Sequence, residues 1–144
     1  MAYQTTDQIA YTIPFKSEIQ GHLNARFRLD ADSKPIFERD EKDCRLRHYL
    51  MEIFLKTPKA KQIESVTYFL NDPSFLDGTL HSTNANNHFE EMIWSYGEVE
   101  VVVTVEMAGQ SYEQRAWLSN MLENGHSNEL NDEIRSAILR IKVS

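Results

Sequence analysis

The sequence predicts a mainly β protein, an antiparallel β-sandwich that carries two α-helices at its carboxyl-terminal end. Two observations predict this. Apolar and polar residues alternate through the middle of the chain, as half-buried strands require, and the period becomes helical near the end. No repeat or linker-like composition divides the 144 residues. We therefore expect a single domain over 1–144, with the sandwich over 11–110 and a helical hairpin over 111–144.

The first 44 residues give the weakest pattern. Residues 11–29 alternate imperfectly, and their apolar positions are spaced as one or two short strands would require. The run 38–43 carries six consecutive charges of mixed sign. We interpret that run as a solvated loop or the end of a strand.

Two clear strands follow. In the first, one side carries Tyr49, Met51, Ile53 and Leu55, and the other side is also apolar, with Leu46, Leu50 and Phe54. A strand that is apolar on both faces is typical of the centre of a sheet, and Pro58 ends it because proline cannot donate to a sheet ladder. The second strand, 63–70, is rich in β-branched and aromatic residues and ends at the turn sequence 71–73.

The segment 97–107 shows the strongest alternation. One face is apolar and the other largely acidic, with the apolar face made by Val99, Val101, Val103, Val105 and Met107. This pattern is typical of an antiparallel strand that packs on the core with one face and meets solvent with the other. The residues 108–111 are expected to close the strand region.

Two amphipathic helices are predicted next. The first covers 112–124 and is followed by Gly125, the residue type expected just past a helix end. The second begins after Asn131, a suitable N-cap, and repeats its apolar residues at helical spacing: Ile134, Ala137, Ile138 and Ile141. We expect both apolar stripes to cover the sandwich, because an isolated helix of this length needs tertiary packing.

Composition excludes several classes of function. Fifteen basic residues against 22 acidic ones give a net charge of -7, which has the wrong sign for a nucleic-acid ligand and the right sign for a basic partner. A single cysteine excludes an internal disulfide framework and favours a reducing compartment, so we expect a cytoplasmic protein. No stretch approaches the ~20 apolar residues that a membrane span needs.

The sequence contains none of the short motifs by which catalytic sites are commonly recognised. The chain contains no Gly-x-Ser-x-Gly turn and no paired-glycine phosphate loop. Cys44 and His48 would share a face of a predicted strand but lie too far apart for a hydrogen bond, so we interpret Cys44 as structural. We expect neither a catalytic residue nor a cofactor.

A metal site is conceivable around one loop but matches no tight ligand pattern. His81 and His88 flank an asparagine-rich loop near Asp77 and Glu90. A metal ion needs three or four converging ligands, and this spacing does not specify them, so we predict no metal. Two further histidines, His22 and His126, are interpreted as unpaired surface residues.

Aromatic residues are concentrated at two turns. Ser74 and Phe75 follow one strand, and the sequence Trp94-Ser95-Tyr96-Gly97 precedes the valine-rich strand. Rings at such positions can form the walls of a slot that holds a flat group by stacking. They can equally plug the open end of a sandwich, and composition alone slightly favours the plug.

At these residues the sequence resembles the YEATS domain, and particularly its prokaryotic branch. The resemblance extends from Arg47 to Met107 and consists of short pieces in the expected order: YLMEIFL at 49–55, IESVTYFL at 63–70, PSF at 73–75, Phe89, and SYGEV at 95–99. It implies an immunoglobulin-like β-sandwich that acts as a non-enzymatic recognition module. Prokaryotic relatives are thought to act in conflict or immunity systems.

The resemblance also implies a ligand and a site. Eukaryotic members bind acylated lysine on histone tails between two aromatic rings, which here would be Phe75 and Tyr96. Ser74 would supply the hydroxyl beside the pocket, and the backbone near Gly97 would supply a donor to the ligand carbonyl. The expected partner is a protein or peptide with a modified lysine.

Two alternatives remain. In the first, the chain is an adaptor with a vestigial slot, and its helices dock a partner protein through the isoleucine stripe and through Trp117, Leu118, Met121 and Leu122. In the second, a perturbed carboxylate or histidine near His81 and His88 makes the chain an enzyme.

Overall fold

The computed structural model describes residues 19–75 and 77–144. Within them the chain forms, in order, β1 His22–Phe27, β2 Phe37–Arg39, β3 Arg47–Lys56, β4 Ile63–Leu70, β5 Thr79–Ser82, β6 Glu91–Ser95, β7 Glu100–Met107, β8 Gln110–Trp117, α1 Leu118–Gly125 and α2 Asp132–Val143. Short 3₁₀ turns cover Ala60–Gln62 and Ala85–Asn87. The strand pattern expected over 11–29 is represented by β1, and its residues 11–18 lie outside the described part.

The first sheet is built around β3, which pairs antiparallel with β1, β2 and β6. Tyr49 is opposite both Phe37 of β2 and Ser95 of β6. Met51 likewise lies between β1 and β6. The strands β1 and β2 therefore share one edge of β3 and β6 occupies the other, which confirms that the strand with two apolar faces is central.

The second sheet has the order β5-β4-β7-β8 and is antiparallel throughout. Its inner face includes the predicted valine row, all of which is buried: Val99, Val101, Val103, Val105 and Met107. The inward residues of β3 are buried in the same hydrophobic cluster. The fold class predicted from the alternation, two antiparallel sheets with two carboxyl-terminal helices, is confirmed.

The predicted helix over 112–124 is wrong in its first half. Residues 110–117 form β8, which pairs with β7 from Met107 opposite Gln110 onward. The connection is a two-residue turn in which Ala108 and Gly109 both have positive φ, 54° and 75°. That conformation matches the twist of a β-hairpin, so the chain turns back into the sheet. The boundary between sandwich and helices lies at 117/118 instead of 110/111.

The helix α2 begins where the sequence predicted. The side chain of Asn131 accepts a hydrogen bond from the amide of Ile134 at 2.8 Å, and Asp132 and Glu133 occupy the first turn. These carboxylates are favourable at the positive end of the helix dipole.

Both helices bury their apolar stripes in the core. The buried residues are Leu118, Met121 and Leu122 of α1 and Ile134, Ala137, Ile138 and Ile141 of α2. The stripes therefore cover the sandwich, as packing requires, and they are not free to dock another protein as the adaptor alternative supposed. Trp117, the last residue of β8, remains half exposed.

The end of α1 packs directly on the backbone of β1. Asn124 Nδ2 donates to the carbonyl of Leu23 at 3.3 Å, and His126 Nε2 accepts from the amide of Phe27 at 2.9 Å. A Cβ built on Gly125 would lie 2.0 Å from the carbonyl oxygen of Ala25, so only glycine fits at this position. This contact positions α1 against the first sheet.

Two interpretations of single residues are wrong. His126 is fully buried and hydrogen bonded, and its ring stacks on Phe27 at 5.6 Å, so it is not a surface histidine. Cys44 is exposed in the turn before β3, so it is not a buried structural cysteine. In both cases the exposure of the side chain depends on how neighbouring elements pack, which the local sequence does not reveal.

Candidate functional site

Two loops at one end of the sandwich converge on a small cavity, which we call the loop slot. Its volume is about 90 Å³, and its lining includes the four predicted site residues, Ser74, Phe75, Tyr96 and Gly97. The remaining lining residues are Asp72, Ser95, Glu98 and Ser144. The residues come from the turn after β4, the turn after β6 and the end of α2.

The turn after β4 is organised by Asp72. Its carboxylate accepts from the amide of Ser74 at 2.8 Å, and its backbone carbonyl accepts from the amide of Phe75 at 3.2 Å. Hydrogen bonds from the amide and the hydroxyl of Ser74 lower the pKa of Asp72. Phe75 is half buried and packs against the core cluster, so one side of its ring is anchored.

The turn after β6 is held by the buried hydroxyl of Ser95. This hydroxyl donates to the carbonyl of Gly97 at 2.9 Å and accepts a longer bond from the Gly97 amide, at 3.4 Å. The bridge fixes both ends of a tight turn with Tyr96 at its tip. Tyr96 is 37% exposed as a result.

The ring of Tyr96 is supported by a pair of residues that sequence reasoning did not assign to the site. It packs against His48 with 5.3 Å between ring centroids and a tilt of 59°. His48 Nε2 in turn lies 3.0 Å from a carboxylate oxygen of Asp40. The hydrogen bond with His48, and further ones from the amides of Lys42 and Asp43, lower the pKa of Asp40.

No local spacing could have revealed this support. Asp40, His48 and Tyr96 lie on three segments, and only the pairing of β2 and β6 with β3 brings them together. Among the described residues, Tyr96 makes a ring contact with His48 and none with Phe75. The two predicted rings therefore line one cavity without stacking on each other.

The end of α2 forms a wall of the loop slot. A Cβ built on Gly97 would lie 3.1 Å from the Cβ of Ser144, which is closer than most real Cβ contacts. The sequence prediction placed the helices outside the site. The structure instead brings the carboxyl-terminal helix against the turn that carries Tyr96.

Glu98 joins the loop slot to α1. Its two carboxylate oxygens accept from the amide and the hydroxyl of Ser119, at 2.9 and 2.6 Å. The residue before the helix, Trp117, makes no side-chain capping bond, so Glu98 caps α1 from a distant loop.

A larger depression lies on another part of the surface. It has a volume of about 410 Å³ and a mostly polar lining that includes Glu52, His88 and Glu90. Burial, and then a hydrogen bond with Glu90, raise the pKa of Glu52 to about 7. Glu52 therefore keeps a proton to a higher pH than an isolated glutamate does.

The residues considered for metal binding do not converge. Over 19–75 and 77–144, no group of three or more His, Cys, Asp or Glu side chains is placed to hold a metal ion. His81 Nδ1 lies 2.9 Å from the hydroxyl of Thr67, and the His88 ring packs near Phe54.

None of the helices formed by the described residues is long and apolar enough to cross a membrane.

Comparison with known proteins identifies the family. The family model of the prokaryotic YEATS domain matches residues 38–119, more than half of the chain and all four predicted site residues. No curated protein sequence matches. A solved structure of the Yaf9 YEATS domain recognizing an H3K122suc peptide is similar, with 14% sequence identity and a TM-score of 0.40, over 81% of this chain and 87% of that one. YEATS domains are reader modules and not enzymes. The chain belongs to the prokaryotic YEATS domain family, as its sequence pieces indicated.

Proposed function

We propose that the protein recognises an acylated lysine, or a similar planar neutral group, in the loop slot. The observation that carries the proposal is the convergence of Ser74, Phe75, Tyr96 and Gly97 on one cavity. A cavity of about 90 Å³ is far smaller than the ~300 Å³ or more of typical small-molecule sites, so it suits the end of one side chain.

The chemistry of the lining favours a neutral group. An unmodified ammonium would lose its hydration on entering a narrow slot beside aromatic rings, whereas a planar amide can stack on them. Asp72 and Glu98 also line the slot, and hydrogen bonds from Ser74 and Ser119 hold their carboxylates in place. Because both carboxylates keep their charge, the unmodified lysine peptide is the necessary comparison in any binding test.

The expected partner is a protein or peptide that carries the modified lysine. The net charge of -7 favours a partner that is basic overall and disfavours nucleic acid. A role within a bacterial conflict or immunity system belongs to this proposal and follows from the family resemblance, whereas the cytoplasmic location follows from the single cysteine.

Titration calorimetry with matched butyryl-lysine and unmodified lysine peptides tests the proposal. We expect binding of the acylated peptide only, and a loss of about two- to twelvefold in affinity for Tyr96→Ala, because one stacked ring contributes about 0.5 to 1.5 kcal/mol. Phe75→Ala should weaken binding similarly.

Trp94→Ala is the matched control. Trp94 is 41% exposed, lies two residues before Tyr96 and does not line the loop slot. The proposal fails if the wild-type protein binds both peptides equally or neither, or if Trp94→Ala and Tyr96→Ala weaken binding alike.

A further inference from the structure

A second cavity adjoins the loop slot, and we call it the arginine cleft. Its volume is about 140 Å³, and its lining includes Arg45, Arg47 and Arg140. Tyr96 and Ser144 line both cavities, so the two are neighbours that share a wall. Three arginines around one cavity are unexpected in a protein with a net charge of -7.

The guanidinium groups of the arginine cleft are not equally free. Arg45 is paired with Asp43 through two hydrogen bonds, at 3.0 and 3.1 Å. Neither Arg47 nor Arg140 forms an ion pair with any carboxylate in the described part of the chain. Two positive charges at this cavity therefore remain uncompensated.

Arg47 is held in place while its charge stays unpaired. Its guanidinium carbon lies 4.4 Å from the centroid of the Phe37 ring, a cation–π contact that fixes the side chain. Its Nε atom is buried and has no hydrogen-bond partner among the described residues. It also stands directly opposite Arg39 in the β2–β3 ladder, a like-charge pair that destabilises a sheet. An anion would relieve this accumulation of positive charge.

We propose that the arginine cleft binds an anionic group, a carboxylate or a phosphate, on the same ligand that enters the loop slot. Arginine suits this role because its planar guanidinium donates two parallel hydrogen bonds to such groups. The site deepens the proposed function, because it would select acyl-lysine ligands by a negative charge carried close to the planar group. The charge can come from the acyl group itself or from an acidic residue beside the lysine.

The cleft alone is tested with inorganic phosphate, titrated into the full chain and followed by NMR of the backbone amides. We expect the largest shifts around 45–47, Tyr96 and Arg140. Arg140→Gln should weaken phosphate binding about fivefold, the upper end of the range for one exposed ion pair. The control Arg135→Gln removes the same charge from the same helix outside the cleft and should leave binding unchanged. Shifts spread over the surface, or equal losses in both variants, would overturn the proposal.

Matched peptides locate the source of the charge. Succinyl-lysine and butyryl-lysine peptides have nearly the same shape and differ in one terminal carboxylate, and a second pair places Glu or Gln beside butyryl-lysine. We expect the wild-type protein to prefer the charged member of at least one pair, and Arg140→Gln, but not Arg135→Gln, to lose that preference.

These experiments separate the two proposals. Equal binding of charged and neutral peptides would leave the loop slot standing and overturn the arginine cleft. Phosphate binding at the cleft without any peptide binding would support an anion site, overturn its sharing a ligand with the slot, and refute the proposed function.

Discussion

Two regions of the sandwich differ in how their side chains are packed. One is the contact between α1 and β1, and the other is the loop slot. At the first, Gly125 touches the backbone of β1 and His126 is buried against Phe27. At the second, Tyr96 is 37% exposed, and its ring contacts the ring of His48 with 5.3 Å between centroids. In the first region a helix end touches the backbone of a strand, with the depression of about 410 Å³ opening beside the contact, and in the second a ring stands beside a small cavity.

Because of this difference in packing, we expect substitutions in the first region to change stability and substitutions in the second to change ligand binding. A side chain that fills a close-packed interface changes the free energy of unfolding when it is altered, because the neighbouring backbone cannot move aside. A side chain at the tip of a loop has few packing partners, so its replacement is expected to affect mainly what the cavity binds. The following substitutions test that separation.

Gly125→Ala should have the largest effect on stability. The new methyl group would lie 2.0 Å from the carbonyl oxygen of Ala25, which is backbone and cannot rotate away. We expect a loss of about 2 to 3 kcal/mol in the free energy of unfolding, measured by urea denaturation. Gly109→Ala is the control, since its φ is +75° but its surroundings are open, and it should cost about 1 kcal/mol. An equal or smaller loss for Gly125→Ala would show that α1 does not pack on β1 as described.

Glu98→Ala should destabilise the protein by about 1 kcal/mol, because it removes the group that caps α1 at Ser119. Glu123→Ala removes the same charge from the exposed side of α1 and should be nearly neutral. Thermal unfolding of the two variants makes the comparison. If both variants melt at the same temperature, the long-range cap does not contribute.

Acid should weaken the α1–β1 contact through His126. Burial, and then the charge of Arg26, lower the pKa of His126, while Glu129 opposes the shift. Nε2 accepts from Phe27, so a proton on this nitrogen would break the bond and place a charge in the core. The unfolded state, with a pKa near 6.5, binds the proton more readily, so this contribution to stability is complete above that pH and is lost as the pH falls below it.

His126→Gln isolates that contribution when urea denaturation is repeated from pH 8 to pH 5. The variant should be less stable at pH 8 but lose less on acidification than the wild type. Glu52 acts in the opposite direction, because its pKa is raised to about 7 in the folded protein, from about 4.5 in the unfolded chain. The contribution of Glu52 to stability is therefore complete below pH 4.5 and is lost as the pH rises through 7. Glu52 is present in both proteins, so it cancels in the difference. Parallel pH profiles would contradict the role of His126.

Tyr96→Ala should have the smallest effect on folding. Its side chain is exposed at the loop tip, and we expect the free energy of unfolding to change by no more than about 0.5 kcal/mol. Urea denaturation of the variant used for peptide binding provides the value. A larger loss would mean that the ring is a structural plug and would remove the distinction between the two regions.

The sequence predicted those parts of the fold in which a regular pattern coincides with burial. The valine row of β7 and the Asn131 cap of α2 are local signals, and both are confirmed. The strand β8 was missed because its residues around Tyr112 are polar on both faces, and the positive φ angles at Ala108 and Gly109 depend on pairing with β7.

The same limit applies to the candidate site. The four slot residues were chosen from family resemblance, and the structure brings them to one cavity. Their ligand remains a prediction. The support of Tyr96 by His48 and Asp40, and the approach of Ser144, were not predicted because they join segments that are distant in sequence.

The contacts of Asn124, Gly125 and His126 also protect the protein from self-association. Asn124 and His126 form hydrogen bonds with the carbonyl of Leu23 and the amide of Phe27, and Gly125 covers the carbonyl of Ala25. These backbone groups of β1 point away from β3, because they alternate along the strand with the groups that pair with β3. An uncovered row of this kind is a template on which strands of other molecules can add, as in domain swapping and amyloid growth. The last residues of α1 therefore cover this edge of the first sheet, and we expect a variant that loosens them to self-associate more readily.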